Sequence, residues 1–180
     1  MRLRREESMV IVVDVQERLM PHIAECNTLE TTMGKLLEGL ALFELPLFLN
    51  EQYPKGLGHT IASLQTHLRS YAAFEKVTFS CCQNPNLKEA ILTCKRQSAI
   101  VFGIETHVCV LQTCLDLLDM GIQPFLVVDC TGSRKKSDHE TALMRMVQAG
   151  VIPVSLESVL FELCGSAKDE VFKQISLIVK

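Results

Sequence analysis

The stretch SAIVFGIETHVCVLQTCLDLLDMG, residues 98–121, predicts a buried strand, a sharp turn and a helix in direct succession. Residues 99–104 form a short apolar run rich in Ile, Val and Phe, which is typical of a fully buried parallel strand. Gly121 stands where a helix often ends in the left-handed conformation. Apolar residues recur at helical spacing before it: Val108, Leu111, Leu115 and Leu118.

Cys109 lies about three residues into the predicted helix, and Thr106 is the expected N-cap residue. Unpaired backbone N–H groups and the positive end of the helix dipole favour a thiolate at such a position. Cys109 is therefore a candidate nucleophile. Free cysteines also serve as small buried apolar residues, and position alone gives the two interpretations about equal weight.

The length and net charge of the chain indicate one compact domain and do not indicate a nucleic-acid-binding or membrane-spanning protein. A chain of 180 residues with a formal net charge of −3 suits one compact domain, residues 1–180, with residues 1–8 as a frayed lead-in. The basic clusters at residues 2–5 and 134–136 are expected to be solvated, and tryptophan is absent, so we expect no nucleic-acid partner. Each apolar run is interrupted too early for a membrane span.

The eight cysteines are expected to be reduced thiols, because no paired C-x-x-C units occur and we detect no signal peptide. The adjacent Cys81 and Cys82 do not have the spacing of metal ligands. We therefore expect an intracellular protein, with the cytoplasm as its compartment and an organelle left open.

Strand and helix patterns alternate along the chain, which predicts a doubly wound α/β fold with a mainly parallel sheet. Helical patterns separate the apolar runs, for example at residues 29–45, 87–93 and 138–149, and residues 50–60 are expected to be a loop. The predicted strands comprise residues 9–13, 47–50, 74–80, 99–104, 124–128 and 151–154.

Asp14 directly follows the first predicted strand, where open α/β sheets place groups that do chemistry. A helix cap or a loop acid is the alternative interpretation. If this strand lies beside the one before Cys109, both residues project into one crevice. Lys76, considered alone, is expected to be a solvated residue of an edge strand.

Other enzyme classes do not match these positions. A haloacid-dehalogenase phosphatase needs a second acid two residues after the aspartate, where this chain has Gln16. A cysteine phosphatase needs an arginine six residues after the cysteine, where it has Leu115. A catalytically silent binding or scaffold protein remains open, because a fold does not guarantee a function.

Three motifs in order, VVDVQ with Asp14, EKVTFS with Lys76 and GIETHVCV with Cys109, resemble those of the isochorismatase-like cysteine hydrolase superfamily. The resemblance extends from residue 9 to about residue 163. Two further segments, EQYPKGLG and LDLLDMG, resemble isochorismatase domain-containing proteins. The resemblance implies a three-layer α/β/α fold around a six-stranded sheet.

The resemblance also implies residue roles. Cys109 would be the nucleophile, Asp14 the proton acceptor and donor, and Lys76 their electrostatic partner. A cis peptide bond would precede Glu105, so that backbone N–H groups near Glu105 and of Cys109 form an oxyanion hole. The implied activity is hydrolysis of a small amide or related carbonyl compound through a thioester.

The departures from the family are informative. Nicotinamidases of this superfamily bind a metal through an Asp-x-His motif, where this chain has Asn50, Glu51 and Gln52. We therefore expect no catalytic metal, no cofactor and a substrate other than nicotinamide. Isochorismatases proper lack the cysteine. The resemblance further implies a small-molecule substrate and a homo-oligomer, and the residues expected to line the substrate pocket are Gln16, Gln52, Tyr53 and Thr106.

Overall fold

The computed structural model describes residues 1–68 and 70–180 and contains a sheet of six parallel strands. The strand order is β3-β2-β1-β4-β5-β6. The predicted α/β fold with a parallel sheet is confirmed. The strands are β1 (Ser8–Val13), β2 (Leu47–Gln52), β3 (Ala73–Lys76), β4 (Ser98–Ile104), β5 (Gln123–Gly132) and β6 (Ile152–Val154).

Helices cover both faces of this sheet, and each face has its own apolar core. The first face is covered by α1 (Cys26–Ala41), α3 (Ala62–Leu68), α7 (Leu156–Cys164) and α8 (Phe172–Ile178). The opposite face is covered by α4 (Pro85–Cys94), α5 (Leu111–Asp119) and α6 (Lys136–Ala149). A single turn, α2 (Pro54–Leu57), follows β2.

Strand β1 lies at the centre of the sheet, and every one of its residues is buried. Val10 and Val12 face the first core, whereas Met9, Ile11 and Val13 face the second. A strand buried on both faces needs a continuous apolar sequence, which explains why β1 shows no alternation of apolar and polar residues. β1 pairs with β2 on one side and β4 on the other.

Several local predictions differ from the structure. Strand β3 ends at Lys76, four residues earlier than predicted, and α2 interrupts the predicted loop after β2. β5 continues through the predicted turn to Gly132, and its register against β4 shifts between Val101 and Gly103. An irregularity of this kind inserts residues without ending the strand, and its signal in sequence is weak.

The N-terminal segment is attached to the domain, so the expected frayed lead-in is wrong. Leu3 is 1% exposed, and its N–H donates to Glu162 Oε2 at 2.8 Å. Arg5 donates to Leu163 O at 2.7 Å and pairs with Asp169 at 2.6 Å. A buried leucine and these contacts to α7 hold the segment, which its high charge alone did not indicate. Within the described ranges, we find no helix with the length and apolar character that a membrane crossing requires.

Candidate functional site

Three of the predicted site residues meet at the carboxyl end of the sheet: Asp14, Lys76 and Cys109. Asp14 follows β1 and Cys109 follows β4, and these two strands are neighbours with Val13 opposite Gly103. Lys76 ends β3, and its side chain reaches past β2 to Asp14, with Nζ 2.6 Å from Oδ2. The adjacency of the two strands, which the sequence left open, is present, and it brings the acid and the thiol to one place.

Asp14 is held in an uncommon backbone conformation, with φ at 50°. Aspartate tolerates this left-handed region better than most residues. The Asp14 N–H donates to Asn50 O at 3.2 Å, and its carbonyl accepts from Gln16 N at 2.8 Å. The side chain is fully buried, and Oδ1 has no hydrogen-bond partner among the described residues. The two carboxylate oxygens therefore have different environments, one bound to the lysine and one without a partner among the described residues.

Gly103 allows the two central strands to approach each other at this point. Its φ is 128°, and a Cβ atom there would lie 2.1 Å from the carbonyl oxygen of Val13. Any other residue would push β4 away from the end of β1. The position of Cys109 relative to Asp14 therefore depends on this glycine.

Lys76 has a full set of acceptors. Its ammonium donates to Asp14 Oδ2 at 2.6 Å, Gln52 Oε1 at 2.7 Å and Thr78 O at 3.2 Å. Burial acts to lower the pKa of Lys76, but its interactions with Cys81, Asp14 and Cys109 outweigh burial and raise it. Lys76 is therefore a buried cation. The prediction from the strand pattern alone, that Lys76 is a solvated edge residue, is wrong. Its side chain points across the carboxyl end of the sheet toward Asp14 and away from solvent.

Cys109 lies in a π-helical turn, Thr106–Val110, that leads into α5. The carbonyl oxygen of Glu105 accepts from the N–H groups of Val108 at 3.1 Å and Val110 at 3.2 Å, and the peptide bond between Ile104 and Glu105 is cis. The carbonyl oxygen of Cys109 accepts from Thr113 Oγ1 at 2.7 Å. These contacts fix the turn and leave the cysteine 7% exposed.

Thr106 does not cap this helix, contrary to the prediction. Glu105 occupies the N-cap position and makes no side-chain capping bond. The Thr106 hydroxyl is buried and bonds instead to His139 Nδ1 on α6, at 2.8 Å. His107 makes a similar contact with Ser133 Oγ at 3.0 Å. Both contacts tie the turn to the segment after β5, a partner that local sequence does not reveal.

The electrostatics of the thiol differ from the prediction. Burial and the charge of Asp14 raise the pKa of Cys109 to about 12, and the opposing effect of Lys76 is smaller. The prediction that the helix N-terminus favours a thiolate at Cys109 is therefore wrong for the free protein. Desolvation disfavours the negative charge on the sulfur more than the turn stabilises it. Burial also raises the pKa of Asp14, despite the ammonium of Lys76. The site thus combines a neutral thiol with a strengthened base.

The residues predicted to line a substrate pocket have different environments. Gln16 is fully buried, and its amide bonds to the backbone of Gln52 and Gly58 at 2.6–2.9 Å. Both of its N–H groups are used in these contacts, so Gln16 supports the loop and is not free to bind a ligand. Gln52 contacts Lys76 directly, whereas Tyr53 is 53% exposed at the rim.

A buried carboxylate in β2, Glu51, was not recognised from the sequence. One oxygen accepts from the N–H and hydroxyl of Thr60 at 2.7 and 2.8 Å, and the other pairs with His59 Nδ1 at 2.9 Å. Burial acts to raise the pKa of Glu51, but these hydrogen bonds outweigh burial and lower it. A carboxylate that is buried in a strand needs such hydrogen-bond partners. The acidic residue shortly after the apolar run of β2 was therefore the sequence signal for a buried carboxylate.

A cleft of about 320 Å³ lies between α1, the end of β5 and the start of α6. Ser133 and His139 form part of its wall, and they bond to the turn that carries Cys109. Cys109 does not line this cleft. In the part of the chain that the structure describes, no group of three or more His, Cys, Asp or Glu residues is placed to hold a metal ion.

Comparisons with known proteins agree with this geometry. A family model for the isochorismatase domain matches residues 8–158. Isochorismatase domain-containing protein 1 of Salmo salar is 37% identical over 168 residues, which are 93% of this chain and 59% of that protein. The chain therefore spans less than two thirds of the length of that relative.

Solved structures agree as well. The MAR1 ribonuclease of Caenorhabditis elegans is 35% identical and superposes with a TM-score of 0.94, covering 99% of this chain and 92% of that one. The YcaC product of Escherichia coli, described as an octameric hydrolase of unknown specificity, is 22% identical with a TM-score of 0.90, over 98% of this chain and 88% of its own. The latter similarity shows the fold alone. The predicted resemblance is confirmed by the family model and the relatives: the chain belongs to the isochorismatase family.

Proposed function

We propose that this chain is a cysteine hydrolase that cleaves the C–N bond of a small amide or a related carbonyl compound. The observation that carries the proposal is the buried Asp14–Lys76 pair beside Cys109, with Asp14 Oδ1 unpartnered within the described residues. An uncompensated carboxylate oxygen in an apolar site is costly unless it has a task. Accepting the thiol proton is such a task.

In the first step, Cys109 transfers its proton to Asp14 as the sulfur attacks the carbonyl carbon. The raised pKa of Asp14 suits this transfer, because it reduces the difference in proton affinity between the acid and the thiol. Lys76 stabilises the negative charge that passes between the two groups. A new C–S bond forms, and the carbonyl oxygen becomes an oxyanion.

The oxyanion is stabilised by backbone N–H groups near Glu105 and of Cys109, at the start of the turn. Collapse of the tetrahedral intermediate breaks the C–N bond, and Asp14 returns the proton to the leaving amine. A thioester on Cys109 remains. Asp14 then takes a proton from water, and the hydroxide attacks the thioester. The C–S bond breaks, Asp14 returns the proton to the Cys109 sulfur, and a carboxylic acid is released.

The limited exposure of Cys109 supports a small substrate. Among the residues predicted to contact the substrate, Tyr53 lies at the exposed rim and Gln52 lies next to Lys76. Thr106 is buried against His139 and acts on the turn. We keep Tyr53 as a substrate contact and assign Gln16, Gln52 and Thr106 a positioning role, because the Gln52 amide accepts from Lys76 and donates to Val77 O.

A relative described as a ribonuclease raises RNA as a different substrate class. Phosphate recognition uses accessible cations. Lys76 is 1% exposed at its side chain and already has three acceptors, so it is not available to a phosphate. The contacts of the site therefore favour a neutral carbonyl compound over RNA.

The test begins with the thiol. Iodoacetamide should modify Cys109 faster than the buried Cys82 and Cys114, with a rate that increases with pH, whereas a scaffold protein would label without preference for Cys109. A panel of small amides and ureides is then screened for release of amine. Cys109→Ala should abolish turnover and Cys82→Ala should retain it. An active Cys109→Ala protein would disprove the mechanism.

We also propose that the chain forms a homo-oligomer in the cytoplasm. The octameric neighbour supports self-association, and eight cysteines free of disulfides support a reducing compartment. Light scattering at a series of protein concentrations measures the oligomer directly, and a monomer at every concentration would contradict it.

A further inference from the structure

Cys81 is a buried thiol beside the proposed active site that the proposed mechanism does not use. It is 0% exposed and belongs to the same apolar core cluster as Cys109. Both cysteines are free thiols. Cys81 lies five residues after Lys76 and begins a short helical turn, Cys81–Gln83.

One hydroxyl group joins the two cysteines through their main chains. Thr113 Oγ1 accepts a hydrogen bond from Cys81 N at 2.9 Å and donates one to Cys109 O at 2.7 Å. The two main chains are therefore separated by a single side-chain oxygen. Cys82, the next residue, contacts the carbonyl oxygen of Thr113 at 3.9 Å and provides a neighbouring thiol for comparison.

The two thiols also share the same charged neighbours. Lys76 interacts with Cys81 and with Cys109, and the charge of Asp14 acts on both. Cys109 is the more exposed of the two, at 7% against 0%, so a small oxidant reaches it first. A cysteine that is oxidised beside a second thiol can form a disulfide with it. Because Cys109 is a neutral thiol, its oxidation would require Asp14 to accept the thiol proton, as in the proposed hydrolysis.

We propose that Cys81 is the resolving cysteine for Cys109, and that a hydroperoxide converts the two into a reversible disulfide. This inference rests on the proposed nucleophilic role of Cys109. In the first step, Cys109–SH and ROOH give Cys109–SOH and ROH, as the O–O bond breaks and sulfur is oxidised. In the second, Cys81–SH attacks the sulfenic sulfur, an S–S bond forms and water leaves with the Cys81 proton. A dithiol then restores both thiols and is itself oxidised to a disulfide.

The pairing should protect the nucleophile. Without Cys81, the sulfenic acid of Cys109 would react with further peroxide to the sulfinic acid, which thiols do not reduce. With Cys81, oxidation should stop at the disulfide. The nucleophile would then be switched off by peroxide and recovered by reduction.

The experiment treats the whole protein with hydrogen peroxide and measures iodoacetamide labelling of Cys109 before treatment, after treatment and after dithiothreitol. The wild type should lose labelling and recover it fully, and its oxidised form should lose the mass of two hydrogens. Cys81→Ala should lose labelling without recovery and gain the mass of two oxygens. Untreated Cys81→Ala should label like the wild type, which controls for its fold.

The matched control is Cys82→Ala. Cys81 and Cys82 lie on one tryptic peptide, residues 77–88, so this variant distinguishes Cys81 from Cys82. The peptide of Cys109, residues 97–134, also contains Cys114 and Cys130, so fragmentation of the linked peptides must identify the second cysteine. The Cys82→Ala variant should still form the disulfide between these two peptides. Recovery in Cys81→Ala, or loss of the link in Cys82→Ala, would overturn the pairing. Failure of untreated Cys109 to label even at alkaline pH would instead refute the proposed hydrolase.

Discussion

Two ion pairs of equal length serve different purposes in this molecule. Asp14 and Lys76 lie 2.6 Å apart with side chains that are 0% and 1% exposed, whereas Arg5 and Asp169, also 2.6 Å apart, are 34% and 20% exposed. Water screens the second pair and stabilises each of its ions separately, but the first pair has only its protein neighbours. The comparison teaches that burial, and not distance, determines how much the two charges of a pair depend on each other.

The largest expected effect comes from leaving one buried charge alone. Lys76→Met removes the partner of Asp14 and should destabilise the folded protein by about 3–5 kcal/mol at neutral pH. Without the ammonium, burial should raise the pKa of Asp14 further. Protonation removes the buried negative charge and should restore part of the lost stability. Urea denaturation at neutral and acidic pH measures this, and the loss should shrink on acidification.

The matched double variant, Asp14→Asn with Lys76→Met, sharpens the same point. It contains no buried charge at the site, so most of the lost stability should return. A double variant as unstable as Lys76→Met alone would show that packing, rather than charge, explains the loss.

The next effect tests the backbone that brings the buried pair to Cys109. Gly103→Ala would place a methyl group against the Val13 carbonyl at φ 128° and should cost more than about 2 kcal/mol. Gly121→Ala, at φ 73° with open space around it, should cost only about 1 kcal/mol. Thermal unfolding of both variants gives the difference, and equal losses would contradict a role for the close strand approach.

A third prediction concerns reactivity. Asp14 raises the pKa of Cys109, so Asp14→Asn should lower that pKa and accelerate iodoacetamide labelling at neutral pH by about tenfold or more. In the wild type, with a pKa of about 12, the rate should keep increasing with pH through the alkaline range. Turnover should nevertheless fall in Asp14→Asn, because the proton acceptor is gone. Slower labelling in Asp14→Asn would contradict this electrostatic assignment.

The smallest effect belongs to the exposed pair. Asp169→Asn removes one charge but leaves Arg5 in contact with solvent, with Leu163 O and with the ring of Phe43. The free energy of unfolding should change by only about 0.2–1 kcal/mol, and less in high salt. A loss as large as that of Lys76→Met would undo the comparison with the buried pair.

Much of the fold was readable from the sequence because it depends on patterns that are local. The apolar runs of β1 and β4 and the helical spacing of α5 are properties of short segments. The position of Gly121 at the end of α5, in the left-handed conformation, also follows from a single residue. Strand adjacency could not be predicted from the sequence, because it depends on contacts between segments that are distant along the chain.

The candidate site was less readable, because its properties arise from residues that are distant in sequence. The strand pattern alone predicted a solvated Lys76, and only the resemblance placed it beside Asp14, which lies 62 residues earlier and pairs with it in the interior. Cys109 was expected to be a thiolate, but the surrounding core raises its pKa. Thr106 pairs with His139, 33 residues away, instead of capping its own helix.

The central position of β1 also has a consequence for the order of synthesis. β1 is made first, but one of its two neighbours, β4, begins only at Ser98. Until the ribosome has released that segment, one edge of a strand that is apolar from Met9 to Val13 stays open to other chains. A nascent polypeptide halted before residue 98 should therefore bind chaperones or aggregate. Once residues 98–104 are added, β4 can pair with β1, and aggregation should decrease.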